Sequence, residues 1–341
     1  MAESNLQSKN GHTPQAQVAK YQKNEADLAA LKAVLGENLK EDEPIARHTS
    51  WRIGGPADYF LRATDEAELV VLLKTCRSRN IPFLIIGNGS NMLVADKGWR
   101  GMVVENRLDA FTVNDLGDGR CLLKAWSGAL LGALSRRIAK LGWSGFEFAA
   151  TIPGSVGGGI VSNAGAHGGD FSKVLRRVAV ANANGELDIL PAEKLELSYR
   201  DSRWREQVGN NKVPLGNLGN ELILWAEFEL QQGDPAAIKQ HIDEMTDWRR
   251  KNQPQEPSGG SVFKNPPAPF GSAGSLIEKA GLKGHVIGGA QISPRHANFI
   301  INLGEAKAQD VIDLINLARK TVKEQFGADI EPEVEMLGEF D

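Results

Sequence analysis

The sequence lacks any apolar run that approaches the roughly 20 residues needed to cross a bilayer. Its N-terminus, MAESNLQSKNGHTPQAQ, lacks the apolar centre of a secretory signal. It also lacks an excess of either charge, with 39 Lys plus Arg against 43 Asp plus Glu, and so has no strong field to attract a nucleic-acid backbone or an anionic membrane. These absences predict a cytoplasmic globular protein without nucleic-acid or membrane partners, in which local groups hold any anionic ligand.

Cysteine is also scarce. Cys76 and Cys121 are isolated in apolar-periodic segments and have no Cys-x-x-Cys partner. This pattern favours buried reduced thiols over a disulfide or a metal site. His167 and His296 have no histidine or carboxylate at metal-ligand spacing, so we predict no metal site.

The usual nucleotide-binding motifs are missing as well. In the segment IIGNGSNMLVAD, Gly87 and Gly89 would need a glycine at 92 to complete Gly-x-Gly-x-x-Gly, but Met92 stands there. The sequence contains no Gly-Lys-Ser/Thr phosphate loop either. These two absences argue against a Rossmann NAD domain and against a P-loop.

Strand and helix patterns alternate from about residue 47. Asp65, with Glu68 three residues later, can cap a helix, and the apolar strand 82–87 follows it. A second unit runs from a strand at 121–126 into a helix that Ser127 is expected to open.

A domain boundary is predicted near residue 232. Asp234 followed by Pro235 is a helix start. One face of that helix is expected to be apolar and to contain Ile238, Ile242, Met245 and Trp248. We therefore divide the chain into residues 1–46, a polar tail with a short helix, residues 47–232 and residues 233–341. The tail is expected to be mobile to about residue 25, because it has few apolar side chains to bury.

Two segments rich in small residues are candidates for ligand binding. Residues 152–169, IPGSVGGGIVSNAGAHGG, contain seven glycines, too many for a helix or strand interior without a heavy entropic cost. Residues 87–91 directly follow an apolar strand. Successive N–H groups in such segments can form a concavity that suits a phosphate or a diphosphate. Two separate backbone cradles would suit a large ligand such as a dinucleotide.

Seven motifs then make a family recognisable. They are, in order, HTSWRIGGPADYF, PFLIIGNGSNMLVAD, ATIPGSVGGGIVSNAGAHGG, LSYRDSRW, GGSVFKNPP, AGLKGHVIGGAQIS and EPEVEML. Together they resemble the UDP-N-acetylenolpyruvoylglucosamine reductases, FAD enzymes of bacterial peptidoglycan synthesis. The resemblance runs from about residue 47 to 341 and is to the subclass without a tyrosine-bearing loop, because only residues 231–258 separate the strand LILWAEFEL from the Ser261 motif. The N-terminal tail and the polar segment 208–220 lie outside it.

The resemblance implies an α+β fold. Residues 47–232 would form an FAD-binding region of two subdomains, of the vanillyl-alcohol-oxidase (PCMH) type, and residues 233–341 a C-terminal α/β substrate-binding domain. The implied flavin contacts, mostly through the backbone, are Gly87, Asn88, Gly89, Ser90, Asn91, Ile152, Pro153, Gly154, Ser155, Val156, Gly157 and Gly158. Lys264, Asn265 and Lys283 are the implied substrate contacts, with a solvated surface charge as the alternative for Lys264.

The resemblance also implies a reaction and its catalytic residues, Arg200, Ser261 and Glu333. NADPH would reduce FAD, hydride would pass to C3 of the enolpyruvyl ether of a UDP-sugar, and C2 would then be protonated, so that the cofactor supplies the difficult electronics. Arg200 would hold the substrate carboxylate with two donors as charge grows on it. Ser261 would supply the proton, since a carbanion is basic enough to take it from a hydroxyl.

Glu333 would polarise the substrate carboxylate without repelling it if it were protonated, so we predict a raised pKa for its carboxyl group. Strand alternation places Glu331, Glu333 and Glu335 on one face, so the pattern alone does not choose between them. Two other functions stay open: a related flavin oxidase acting on sugars or lactones, and a catalytically silent protein that binds a nucleotide sugar. The joint presence of Arg200, Ser261 and Glu333 argues against the silent protein.

Overall fold

The computed structural model describes residues 21–182, 184–208, 211–214 and 221–340. The tail up to residue 20 and most of the polar segment 208–220 therefore lie outside the described residues. Tyr21 belongs to the segment that we expected to be mobile, but its hydroxyl donates a 2.8 Å hydrogen bond to Asp27. The first helix already begins at Glu25, capped by the side chain of Asn24, so the prediction was wrong for residues 21–25. None of the described helices is long and apolar enough to cross a membrane.

The described residues form seven α-helices. They are α1 (Glu25–Leu35), α2 (Glu66–Ser78), α3 (Leu131–Lys140), α4 (Val156–Val161), α5 (Pro235–Asn252), α6 (Ala273–Lys279) and α7 (Ala308–Phe326). Asp65 caps α2 and Asp234 caps α5, each through its side chain, as predicted. The prediction that Ser127 opens a helix was wrong: α3 begins at Leu131 without a side-chain cap, and the Ser127 hydroxyl instead accepts a 2.8 Å hydrogen bond from Asn106.

Nineteen strands lie within the same residues. They are β1 (Lys40–Pro44), β2 (Pro56–Ala63), β3 (Phe83–Ile86), β4 (Met92–Val94), β5 (Trp99–Asn106), β6 (Phe111–Asp115), β7 (Arg120–Trp126), β8 (Trp143–Ser144), β9 (Gly165–Ala166), β10 (Gly169–Asp170), β11 (Leu175–Asn182), β12 (Leu187–Pro191), β13 (Arg205–Val208), β14 (Asn211–Pro214), β15 (Glu221–Gln232), β16 (Val286–Ile287), β17 (Ala290–Ile292), β18 (Ile300–Asn302) and β19 (Glu335–Leu337).

Two sheets form the first part of the fold. The small sheet has the order β1-β2-β5-β3, with β2, β5 and β3 parallel, and it follows the β/α alternation of the sequence. The large sheet is antiparallel, with the order β12-β11-β15-β7-β6, and its core includes residues of α3 and α4. Cys76 and Cys121 are buried free thiols in these cores, as predicted.

The C-terminal part contains a third sheet of order β16-β17-β18, with α7 packed against it. Its core also takes in Trp51, Ile53 and Leu93 from early in the sequence, and β19 returns to pair in parallel with β4. Helix α5 packs instead on α3 and on residues 147–151. We therefore propose that the C-terminal domain begins after Asn252 rather than at the predicted residue 233.

The glycines at 157–159 lie inside helix α4, which contradicts the expectation that this segment would avoid helical structure. Packing explains the choice. A Cβ at Gly159 would lie 2.7 Å from the buried ring of Phe171. A Cβ at Gly157 would lie 3.1 Å from the Cβ of Ser127. The helix is short, with six residues, and its close approach to the sheet offsets the entropic cost of glycine.

Candidate active site

A cavity of about 540 Å³ is lined by residues of the small sheet, the large sheet and the C-terminal part. One part of the lining, named the cradle end below, consists of the loop 87–91 after β3 and residues 151–155 and 157–159 before and within α4. Another part, named the reaction end below, consists of Arg200, residues 259–261, Glu333 and Glu335. The cavity thus brings together distant parts of the sequence, as binding sites at domain junctions commonly do.

The two predicted cradles form one continuous wall. Asn88 donates a hydrogen bond through Nδ2 to the carbonyl of Pro153 at 3.0 Å. A Cβ at Gly87 would lie 2.1 Å from the hydroxyl of Ser155, and one at Gly89, where φ is +58°, would lie 2.0 Å from the carbonyl of His48. Only glycine permits these close approaches.

Eleven of the twelve predicted cofactor residues line this cavity. They are Gly87, Asn88, Gly89, Ser90, Asn91, Ile152, Pro153, Gly154, Ser155, Gly157 and Gly158. Val156 is different: its side chain is fully buried in the core of the large sheet, and its N–H donates to the carbonyl of Ala129.

The three predicted catalytic residues also line the cavity. Arg200 and Glu333 form an ion pair, with 2.8 Å between Nε and Oε1. The N–H of Glu333 donates to the carbonyl of Val262 at 2.7 Å, so the segment that carries Glu333 is bonded directly to the segment that follows Ser261. The three residues therefore line one cavity, and their catalytic roles stay predictions.

Arg200 occupies a strained turn. Ser198 and Asp201 exchange backbone hydrogen bonds, and Arg200 lies between them with φ +55°, which costs a non-glycine residue of order 1 kcal/mol. The Asn163 side chain donates to the carbonyl of Ser198 at 2.8 Å and holds the turn in place. Nη2 of Arg200 donates to the carbonyl of Gly165 at 2.9 Å, which aims the guanidinium at the cavity.

Burial raises the pKa of Glu333, against the opposing effect of Arg200, Arg205 and Lys264. The raised pKa of Glu333 agrees with the prediction made from the sequence. A carboxyl group in this position gains a proton more readily than it does in water, because desolvation penalises the charged form.

Ser261 follows a tightly packed turn. Gly260 has φ +78°, and a Cβ at Gly259 would lie 2.5 Å from the ring of the buried Trp51. The hydroxyl of Ser50 donates to the carbonyl of Ser258 at 2.6 Å. These contacts fix the backbone immediately before the serine.

The predicted substrate contacts lie outside the cavity lining. Burial and the charge of Arg205 lower the pKa of Lys264, whose Nζ is 3.9 Å from a carboxyl oxygen of Glu331. Asn265 accepts a hydrogen bond from the N–H of Ala273, and Lys283 pairs with Glu278 at 2.9 Å. Their substrate roles stay predictions.

Sequence reasoning missed a group of cavity residues on α5. Trp248, expected on the buried face, is 51% exposed, lines the cavity and meets His167 edge-on with 5.5 Å between ring centroids. The buried face of α5 continues from Ile242 and Met245 to Arg249, at i, i+3 and i+7. This spacing was present in the sequence and could have identified Arg249.

Arg249 gives the cradle a cation. Its guanidinium donates to the carbonyl of Thr151, and burial lowers its pKa. Within the described part of the chain it forms no ion pair with a carboxylate. The buried oxygens Thr151 Oγ1 and Gln253 Oε1, also at the cavity, have no hydrogen-bond partner among the described residues. The glycine-lined wall, the Arg249 cation and the Thr151 hydroxyl, which can donate, fit a diphosphate-containing cofactor such as FAD. Gln253 Oε1 can accept from an N–H or O–H group of such a cofactor.

Comparison with known proteins agrees with this fit. The profile of the family described as "FAD binding domain" matches residues 57–189, which include both cradle segments. Together with the cavity, this match defines the protein as an FAD-dependent oxidoreductase. Among the described residues, no cluster of three or more His, Cys, Asp or Glu side chains could hold a metal ion.

The remaining comparisons identify the family. The profile "UDP-N-acetylenolpyruvoylglucosamine reductase, C-terminal domain" matches residues 253–337. The reductase of that name from Heliobacterium modesticaldum is 43% identical over 88% of this chain and 90% of its own, and that from Lachnoclostridium phytofermentans is 40% identical over 93% and 98%. The crystal structure of the reductase from Thermus caldophilus superposes with a TM-score of 0.70 at 31% identity, covering 88% of this chain and 99% of its own. The chain belongs to the UDP-N-acetylenolpyruvoylglucosamine reductase family of peptidoglycan biosynthesis.

Proposed function

We propose that this enzyme uses NADPH to reduce UDP-N-acetyl-3-O-(1-carboxyvinyl)-glucosamine to UDP-N-acetylmuramate. Hydride adds to C3 of the enolpyruvyl double bond and a proton adds to C2, so the vinyl ether becomes a lactyl ether. FAD, when bound in the cradle, supplies the hydride chemistry. The observation that carries the proposal is the convergence of Arg200, Ser261 and Glu333 on the cavity that the cradle lines.

Arg200 stabilises the negative charge that develops on the substrate carboxylate. Nη1 and Nη2 each donate to one backbone carbonyl, that of Asn163 at 3.5 Å and that of Gly165 at 2.9 Å, while Nε makes the close ion-pair contact with Glu333. Each terminal nitrogen of the guanidinium has two N–H groups, so each keeps one of them free. Two donors are left for the carboxylate. Because the turn already holds the side chain in place, little reorganisation is needed when charge develops.

Glu333 acts in its protonated form. Its buried carboxyl group has a raised pKa, and a carboxylic acid can donate a hydrogen bond to the substrate carboxylate where a carboxylate would repel it. A protonated carboxyl group can keep the 2.8 Å contact between its unprotonated oxygen and Nε of Arg200, and this contact keeps it oriented toward the cavity.

Ser261 donates the proton to C2. A serine hydroxyl is too weak an acid to protonate most carbon atoms, but the carbanion or enolate left by hydride addition is a strong base. The rigid turn at residues 258–260 places the hydroxyl at the cavity wall, on the same segment that is bonded to Glu333.

Separate measurement of the two half-reactions of a Ser261→Ala variant tests the proposal. Reduction of the bound flavin by NADPH should proceed at the wild-type rate. Reoxidation by the enolpyruvyl sugar should slow by roughly 100-fold to 10,000-fold, the usual contribution of a general acid. Both rates are measured by anaerobic stopped-flow absorption of the flavin.

Ser275→Ala is the matched control, because Ser275 lies in the same C-terminal part but outside the cavity lining. Its two half-reactions should match the wild type. Equal losses in both half-reactions of Ser261→Ala would refute the proton-donor role.

The reoxidation measurement, repeated on the wild type with oxygen as the acceptor, separates the two alternative functions. A flavin oxidase of the same fold would return its electrons to oxygen faster than to the enolpyruvyl sugar. A silent binding protein would bind the UDP-sugar without any reoxidation.

A further inference from the structure

The backbone that directly follows Ser261 has different partners along its two edges. On one edge, the N–H of Glu333 donates to the carbonyl of Val262 at 2.7 Å, and Phe263 forms an antiparallel bridge with Pro332. In a bridge with these hydrogen bonds, the N–H and the carbonyl of Phe263 point to the opposite edge. The first edge joins the serine segment to the glutamate segment, and the second needs a partner of its own.

The partner on the second edge is a single residue, Asn298. Its side-chain Oδ1 accepts the N–H of Phe263 at 2.9 Å, and its Nδ2 donates to the carbonyl of Phe263 at 2.9 Å. Its own backbone carbonyl accepts the N–H of Val262 at 2.8 Å. Because an N–H group can only donate and a carbonyl can only accept, these contacts fix the orientation of the amide. One residue thus satisfies three backbone groups within two residues of Ser261.

Asn298 is itself held in place and lies outside the cavity lining. It is 4% exposed, and its N–H donates to Nδ1 of His296 at 3.2 Å. A Cβ at Gly274, in α6, would lie 3.4 Å from the Cβ of Asn298, so this helix packs closely against it. Phe263 is only 2% exposed. Loss of the Asn298 amide would therefore leave two buried backbone groups without partners, which is costly.

We propose that Asn298 is a positioning residue for proton donation by Ser261. The proposal rests on the function proposed above. Ser261 has to reach C2 while Glu333 holds the substrate carboxylate, so the two segments must keep a fixed offset. Hydrogen bonds to the Glu333 segment hold one edge of the serine segment, and Asn298 holds the other. A displacement of about 1 Å in such a geometry can slow a reaction by about 100-fold.

A double-mutant cycle with Ser261→Ala tests the proposal. In Asn298→Ala, flavin reoxidation by the enolpyruvyl sugar should slow by about 10-fold to 100-fold, and flavin reduction by NADPH should keep the wild-type rate. In the Ser261→Ala background, the same change should slow reoxidation by less than about twofold, because residues that act as a unit have non-additive effects. Anaerobic stopped-flow absorption measures all the rates. A general loosening of the fold would slow reoxidation equally in both backgrounds, and that result would overturn the proposal.

Asn302→Ala is the matched control. Asn302 is 5% exposed, and its side chain also bonds to three backbone groups, but these belong to Trp51, Gly304 and Ala306. Any effect of Asn302→Ala on reoxidation should be the same with and without the Ser261 hydroxyl. If the two asparagine variants show equal coupling to Ser261→Ala, the coupling does not come from the contacts of Asn298, and the proposal is wrong.

Asn298→Ser carries the test should Asn298→Ala fail to fold. The serine hydroxyl is shorter than the amide and cannot serve both backbone groups of Phe263 at once. Reoxidation should again be slower than in the wild type, with little further loss when Ser261→Ala is added. A wild-type rate of reoxidation in Asn298→Ser would contradict the positioning role.

A measurement without substrate separates this proposal from the function on which it rests. Hydrogen–deuterium exchange, followed by mass spectrometry, reports how firmly the amides of residues 262–264 are held. Their exchange should be faster by about tenfold or more in Asn298→Ala and unchanged in Asn302→Ala. If the wild type is never reoxidised by the enolpyruvyl sugar, the proposed function fails, and the exchange rates still decide whether Asn298 holds this segment. If the wild type is reoxidised and Asn298→Ala alters neither reoxidation nor exchange, the failure belongs to this proposal alone.

Discussion

The two ends of the cavity are built differently. At the cradle end, Gly87 and Gly89 approach Ser155 and His48 so closely that a Cβ would collide. At the reaction end, the functional groups are the side chains of Arg200, Ser261 and Glu333. The cradle is therefore sensitive to added volume, and the reaction end is sensitive to altered charge or altered donor geometry.

Because of this difference, we expect a substitution at one end to change one property of the enzyme and leave the other unchanged. Cofactor affinity should depend on the cradle, and the rate of substrate reduction should depend on the ion pairs. Four experiments follow, from the largest expected effect to the smallest: two test that separation, and two test the packing and the electrostatics of the fold.

Arg200→Lys should cause the largest loss among these four variants. Lysine keeps the positive charge but lacks the planar guanidinium. A single ammonium group cannot contact Glu333, the two backbone carbonyls and the substrate carboxylate at the same time. We expect flavin reoxidation by the enolpyruvyl sugar to slow by about 100-fold to 1,000-fold, with unchanged FAD affinity. Arg176→Lys, at an exposed pair with Glu229, is the control. A large loss of FAD from Arg200→Lys would show that the two ends are not separable.

Gly159→Ala should destabilise the fold. The new Cβ would lie 2.7 Å from the buried Phe171 ring, and this overpacking should lower the free energy of unfolding by about 1–3 kcal/mol despite the better helix propensity of alanine. Gly154→Ala is the matched control, since its Cβ would have no neighbour closer than 3.7 Å. Urea unfolding of the two apoproteins measures the difference. Equal stability of the two variants would contradict the packing argument for α4.

Arg249→Met should weaken FAD binding. It removes the cradle's buried cation, so we expect about a tenfold loss of affinity, equivalent to one charge-assisted hydrogen bond. The neighbouring Arg250→Met is the control, because Arg250 is exposed and pairs with Asp247. Titration of the apoprotein followed by flavin fluorescence gives both dissociation constants. An unchanged FAD dissociation constant for Arg249→Met would show that Arg249 does not contribute to cofactor binding.

His48→Gln should have the smallest effect, on stability and its pH dependence. Burial lowers the pKa of His48, but hydrogen bonds with Glu105 and Glu43 outweigh it, and the net pKa is raised. A raised pKa stabilises the fold fully below the unfolded value of about 6.5, and the contribution is lost as pH rises through the folded value. The wild type should therefore exceed the variant in free energy of unfolding by more at pH 6 than at pH 9.

The charge of Glu105 does not change between the two pH values, so it does not affect this comparison. Burial raises its pKa, but hydrogen bonds with His48, Arg62 and Arg107 lower it to about 2, so it is charged at both pH values. Urea unfolding at the two pH values measures the difference, and a gap that grows with pH would contradict the assigned direction.

Much of the fold followed from local patterns. The caps at Asp65 and Asp234 and the strand that contains LILWAEFEL were predictable because they depend on residues close to one another in the sequence. The two errors at Ser127 and in α4 have one cause. Both positions lie where the large sheet packs closely on a neighbouring segment, and there a tertiary contact overrides the local preference.

The sequence by itself determined the chemical groups: a glycine-rich backbone for the cofactor, and an arginine, a serine and a glutamate in recognisable motifs. Only the tertiary structure decided which groups meet. It selected Glu333 rather than Glu331 or Glu335 as the partner of Arg200, joined the two cradles, and turned Arg249 toward the cavity. The physical reason is the separation along the sequence of the residues that interact. Backbone conformation is set by neighbouring residues, whereas an ion pair such as Arg205–Glu335 joins side chains 130 positions apart and exists only after the fold has formed.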